Sequence, residues 1–369
     1  MKISYIQVFW LIFLFEVGNT SLLSVSKTIS YGKQDAWISM LLASVMGLLL
    51  TYIASKVGQF YPDQTLIEYS KTILGKWIGN IVVMAYLIQW FSVIGVIVNE
   101  FGDFTITILL HSTPLWILNL FILLLVIYVL YIGGIEAVGR CGEVFGPLVL
   151  FMIILLLILS IINMDLKKLL PILSDSDFLS IFKGTITPLS FMGESVIMLM
   201  LISFMNKPEK GPKSAVWGVA ISSSFVSLST IFVISLFGPA LGSKLRYPIF
   251  DMISYISVLN FIQNLEILAV IIWMLTIFIK ISVYVFIACY GTAQFLKIKD
   301  WRKTMWFIVP ISYIVPLIYP NATFYGELYN VGIWNHYFLP INLIGIPLLL
   351  WIIGSIRKKM GSKKTSDFS

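Results

Sequence analysis

Long apolar stretches separated by short polar connections run through the chain. Those near the length needed to cross a hydrocarbon core of about 30 Å lie at 5–24, 36–53, 80–110, 115–132 and 145–162. Five more follow at 184–205, 215–237, 265–295, 305–319 and 337–356. The ninth is short, and the third and eighth are long enough to need tilt or an extramembrane end. The pattern predicts an all-α integral membrane protein of about ten transmembrane helices.

An even number of crossings puts both termini on one side. The set divides at 163–183 into two groups of five, and because five is odd the second group starts from the opposite face. That is the inverted-repeat arrangement of many secondary transporters, with repeat one at about 4–163 and repeat two at about 180–356. The third and eighth stretches, which correspond under such a repeat, are the two longest, and the first and sixth are the most visibly interrupted. The expected organisation is one transporter-like domain over 1–356 and a basic cytoplasmic tail over 357–369.

Charge orients this bundle. With the N-terminus inside, seventeen of the 25 Lys and Arg residues fall in the connections assigned to the cytoplasm and seven opposite, Lys280 lying within a span. The positive-inside tendency therefore places both termini in the cytoplasm. Composition agrees with a bilayer protein: 59% of residues are hydrophobic, 12% are charged, and the mean hydropathy is +0.94. The basic balance points to anionic lipid, and no run of bases with interleaved aromatics points to nucleic acid. Cys141 and Cys289 fall on the cytoplasmic side and are read as reduced thiols. The first apolar stretch is read as a retained helix, since no small-residue cleavage site follows it.

Candidate chemistry sits inside the helices. The first stretch carries Glu16, Val17, Gly18, Asn19 and Thr20; the sixth carries Pro188, Ser190, Phe191, Gly193 and Glu194. Proline removes a backbone donor and glycine removes the steric barrier to unwinding, so each segment is a candidate broken helix. Free backbone groups at such breaks bind carboxylates, ammonium groups or cations, and paired breaks in two halves point to a ligand site. The bland reading is that Pro188 kinks its helix while Gly18 and Gly193 permit close packing.

Lys280, in the middle of the eighth stretch, is too deep to snorkel and needs Glu16 or Glu194 as a partner, either as a structural ion pair, in place of a coordinating cation, or as a contact to the ligand. In the third stretch, Gln89 and Phe91, with Tyr86, Trp90 and Ser92, offer an amide and an aromatic face to a small ligand, or serve as packing. Asn99, Glu100 and Asp103 lie nearer its outer end and read as lining a vestibule. His111 and His336 stand apart from any metal-ligand spacing, and no phosphate-cradling glycine loop or nucleophile–base pair emerges. The expectation is a non-enzyme with no cofactor and no metal. Asn321-Ala322-Thr323 matches a glycosylation sequon only at the level of three residues.

Several of these segments resemble the B subunits of bacterial spore germination receptors: Ile6-Gln7 before a long apolar run, 15–26 with Gly18, the connection 27–37, Pro188 to Glu194, and Phe278-Ile279-Lys280. The likeness spans nearly the whole chain on loose motifs. It implies the fold of the amino-acid/polyamine/organocation transporters, LeuT-like, with two inverted five-helix repeats and a ligand between broken first and sixth helices. It further implies a multi-pass protein in the inner membrane of a spore, sensing a nutrient, most typically an amino acid, beside an A-type membrane subunit and a C-type lipoprotein. By carry-over, residues 17–20 and 190–194 contact the nutrient, and Lys280 occupies the region where sodium-coupled relatives hold a cation. Competing expectations are a proton-coupled amino-acid permease working through Glu16 or Glu194, and a structural subunit without a working pocket.

Overall fold

A computed structural model of the chain describes residues 1–256, 265–318 and 328–366. The sequon at 321–323 and the ends of the ninth stretch and of the tail, at 319 and 367–369, lie outside the described residues. The protein is an all-α membrane protein whose helices follow the apolar stretches closely.

Helix α1, Tyr5–Leu23, starts at a reciprocal cap: Ser4 Oγ accepts the Gln7 N–H at 3.1 Å and Gln7 Oε1 accepts the Ser4 N–H at 2.8 Å. After a bend at Ser24 the chain continues as α2, Val25–Gly32, and then α3, Ala36–Gly58. A short helix α4, Leu66–Leu74, leads to α5, Lys76–Ile108. Helix α6, Leu115–Ser160, is divided at Gly134, where φ is +57° and ψ is −148°, a conformation that favours glycine. A straight helix of 46 residues would reach about 69 Å, over twice a hydrocarbon core. The two arms of α6 are the fourth and fifth crossings, and the connection expected at 133–144 is helical on either side of Gly134.

The second half begins with α7, Phe178–Met192, capped by Asp177. It passes at Gly193 into a 3-10 segment, Gly193–Ile197, and then α8, Met198–Leu201. Helix α9, Gly211–Gly242, is followed by the short α10, Pro248–Ser254, then α11, Glu266–Leu296, and α12, Arg302–Ile318. A π-helical stretch, Leu328–Gly345, runs into α13, Ile346–Ser366, so the backbone of the expected tail continues the last helix. Eight helical segments among the described residues are long and apolar enough to cross a membrane. The division of α6 and the 17-residue α12 account for the remaining two crossings.

The inverted repeat is visible in the connections and the packing. Short α4 lies between the second and third crossings, and short α10 at the corresponding place between the seventh and eighth. Helix α1 packs on α9 while α3 packs on α7, and these two contacts exchange when first becomes sixth and second becomes seventh. The α3–α7 crossing is close because Gly47 has no side chain; a Cβ there would stand 2.8 Å from Met192 Cβ.

Two clusters of connections define the faces. Ile3 exchanges backbone hydrogen bonds with Phe204 and Asn206, at 2.7 and 2.9 Å, and the Lys2 ammonium donates to Ser203 O at 3.1 Å. Opposite, the Asp35 carboxylate accepts the Leu173 N–H at 3.1 Å and the Ser176 hydroxyl, while Gln34 donates to Pro171 O at 3.2 Å. These contacts join connections that an alternation of ten crossings places together.

Candidate ligand site

Both interrupted helices meet at the centre, though the first yields at a different place from the one its sequence suggests. Helix α1 is continuous through Gly18, Asn19 and Thr20 and bends at Ser24, whose hydroxyl back-bonds to Thr20 O. Gly18 serves close packing: a Cβ there would stand 2.5 Å from Thr276 Oγ1 of α11. At Gly193 the sixth crossing passes from α7 into 3-10 turns without unwinding, its backbone staying helical at φ −69° and ψ −17°, and Pro188 remains within regular helix.

Just after that transition Glu194 enters a buried charge cluster. Lys280 Nζ of α11 lies 3.1 Å from Glu194 Oε2, at ion-pair distance without hydrogen-bond alignment, and the Tyr284 hydroxyl donates to the same oxygen at 2.5 Å. The ammonium also stands 4.9 Å from the Phe15 ring and 5.7 Å from the Phe191 ring, favourable positions for a cation over aromatic faces. Of the two carboxylates open to Lys280 on sequence grounds, the salt bridge therefore takes Glu194. Glu16 lies within electrostatic reach of both partners, with Ser195 N–H near it, but its carboxylate makes no aligned hydrogen bond among the described residues. The group as a whole holds two carboxylates and one ammonium away from water.

Beside this cluster is a small cavity lined by Asn19 of α1, Val93, Val96, Ile97 and Glu100 of α5, Phe191 and Glu194 of the sixth crossing, and Trp334 of the π-helical stretch. About 10 Å³ is open to the centre of a water molecule, close to the space that a single water needs. The Asn19 amide donates to Glu100 Oε2 at 2.9 Å, and the Trp334 indole N–H donates to Ser190 O at 3.2 Å. The indole ring thus lines the cavity from the tenth crossing while anchored to α7. Aliphatic and aromatic walls with a carboxylate, an amide and an ion pair at the edges suit a small amphiphilic ligand carrying a cationic group.

The site residues expected from sequence divide accordingly. Asn19, Phe191 and Glu194 line the cavity. Ser190 stands behind Trp334, its hydroxyl donating to Asn335 Oδ1 at 2.5 Å. Gly193 packs on Leu343, and Val17 and Thr20 are buried in the bundle. Gly18 instead lines a second cavity of about 40 Å³ toward α10, with Phe104 and Trp273.

Gln89 does not reach the central cavity; its amide oxygen accepts from Asn342 at 2.8 Å, and Tyr86 donates to Asn342 O at 2.7 Å, tying the third crossing to the tenth. Phe91 is half-buried packing. Glu100, read as vestibular, is instead part of the lining, while Asp103 pairs with Arg246. Trp334 is a lining residue that sequence reasoning missed; it stands three residues before the tenth apolar stretch, outside the segments in which chemistry was sought.

Comparison with known proteins places this geometry in context. A family model described as spore germination protein matches residues 2–325. Spore germination protein KB of Bacillus subtilis (strain 168) is 27% identical over 376 residues, covering 99% of this chain and 98% of that protein. Spore germination protein YndE of the same organism is 26% identical over 345 residues, with 91% and 92% coverage. Among solved structures, MhsT in complex with L-phenylalanine superposes with a TM-score of 0.69 at 14% identity, over 96% of this chain and 88% of that one. A manganese transporter of Eremococcus coleocola gives 0.57 at 13% identity, over 95% and 76%.

Proposed function

This chain belongs to the spore germination protein family, and from that membership we propose that it is the permease-like, nutrient-sensing membrane subunit of a germinant receptor. The nutrient is a small molecule of amino-acid type bound in the cavity between Asn19, Phe191 and Trp334. Its ammonium group lies toward Glu100 and Glu194, and its apolar part lies against Val93, Val96 and Ile97. The protein sits in the inner membrane of the spore with both termini cytoplasmic, beside an A-type membrane subunit and a C-type lipoprotein.

The observation carrying this reading is the convergence of the first and sixth crossings on one narrow cavity edged by carboxylates. Because so little space is open, nutrient entry requires Trp334 or Phe191 to move. Binding then favours the rearranged bundle, and only that difference in affinity biases a partner subunit. The test is a nutrient dose–response in spores carrying Asn19→Ala or Phe191→Ala, with protein level and receptor assembly checked by immunoblot. Shifted half-maximal nutrient concentrations with normal assembly support the reading; unchanged responses in both variants overturn it.

One observation favours a second reading, a proton-coupled permease. The Glu16 carboxylate is buried beside the Glu194–Lys280 pair without an aligned hydrogen bond among the described residues, a suitable place to take and release a proton. Uptake of labelled amino acid into proteoliposomes, driven by a pH gradient and abolished by Glu16→Gln, separates transport from sensing.

A further inference from the structure

A groove opens toward the lipid between the first arm of α6 and α12, well away from the central cavity. Its floor is Leu123, Met305 and Val309, all buried, and its rim includes the exposed Leu124 and Trp306. It encloses about 230 Å³. The walls run in opposite directions: Tyr131 and Arg302 stand together at the end assigned to the cytoplasm, the guanidinium 5.7 Å from the Tyr131 ring. At the far end the Tyr313 hydroxyl donates to Trp116 O at 3.4 Å. From Leu120 to Tyr131 and from Arg302 to Tyr313 each wall advances by the same number of residues, about 16 Å of helix. That is half of a hydrocarbon core of about 30 Å, the depth of one leaflet.

Arg302 is the one cation among the residues lining the groove. Its Nε is buried and has no hydrogen-bond partner among the described residues. The nearby Asp300 carboxylate is engaged elsewhere, accepting the Arg302 backbone N–H at 3.0 Å. A guanidinium at headgroup depth, at the mouth of a leaflet-deep apolar slot, matches a phosphate attached to an acyl chain. Exposed Lys297, Lys299 and Lys303 add positive potential at the same end. A helix along the whole slot, about 10–12 Å wide, would need several times its volume.

We propose that this groove is a binding site for one anionic phospholipid of the cytoplasmic leaflet, an acyl chain lying between α6 and α12 and the phosphate on Arg302. The proposal rests on the assigned orientation only for the leaflet's name.

The test uses the full chain purified in mild detergent and exposed to equal amounts of phosphatidylglycerol and phosphatidylcholine, with retained lipid read by native mass spectrometry. Phosphatidylglycerol should be retained preferentially, and Arg302→Gln should lower that preference about fivefold. Leu123→Trp, which fills the floor, should lower retention of both lipids. Gel filtration separates lost binding from misfolding, and a photoreactive acyl chain on wild-type protein gives a second readout, with cross-links expected on peptides of α6 and α12. Equal retention of the two lipids by wild type, an unchanged preference in Arg302→Gln, or cross-links confined to other helices would overturn the proposal. So would loss of the retained lipid on assembly with a partner subunit, which would make the groove a protein interface.

Discussion

Lys280 Nζ and Glu194 Oε2 are 3.1 Å apart, on side chains that are 1% and 4% exposed. Such a pair is costly to bury and costlier to break, because removing one partner strands the other's charge. Lys280→Met should destabilise the protein by about 3–5 kcal/mol, and the double variant Lys280→Met/Glu194→Gln should recover most of that loss. Thermal unfolding of the four proteins in one detergent measures the coupling. Equal stability of Lys280→Met and wild type would show that the pair is not charged in the folded protein.

Trp334 lines the central cavity, and its indole N–H is held by Ser190 O at 3.2 Å. Trp334→Phe removes that bond and enlarges the space beside Phe191. The response should shift toward bulkier nutrients, with relative half-maximal concentrations changing by about tenfold. A nutrient panel in spores with matched receptor levels reads the shift, and an unchanged order of preference would place selectivity elsewhere.

Gly18 is a contact between α1 and α11. Gly18→Ala puts a methyl group against Thr276 Oγ1 and Cβ, at 2.5 and 2.9 Å, and should destabilise by about 1–3 kcal/mol. Gly18→Ala/Thr276→Ala should recover only part of this, because the Thr276 Cβ contact remains. Where protein survives, its nutrient preference should match wild type. A Gly18→Ala protein as stable as wild type would remove the packing role.

Asp177 caps α7 from outside the membrane span. The Ser180 hydroxyl and the Ser180 N–H, the latter at 2.9 Å, hold its carboxyl below the ordinary aspartate range. A carboxyl depressed in the folded state stabilises above its unfolded pKa of about 3.9, and the contribution is lost as pH falls through the folded value. The first turn of α7 should therefore be fully capped at neutral pH and fray below about pH 4. Hydrogen exchange over 178–184, corrected for intrinsic rates, should show this fraying. Asp177→Asn should keep the cap and lose the pH dependence, whereas Asp177→Ala should exchange several-fold faster at neutral pH.

Much of this protein was legible without coordinates. The apolar stretches gave the crossings because a bilayer imposes a length, and their parity implied the inverted repeat now seen in α4 against α10. Gly193 marked the change from α to 3-10 turns in the sixth crossing, and Lys280 announced its need for a carboxylate because a lone ammonium is expensive at that depth. What the sequence left open was every choice made between helices. Glu194 rather than Glu16 forms the salt bridge, Ser24 rather than Gly18 ends the first helix, Glu100 and Trp334 reach the cavity, and Gln89 turns to Asn342. Helical periodicity says which residues share a face, but the rotation and tilt of each helix are set by close packing against its neighbours, and only tertiary structure decides which face meets which.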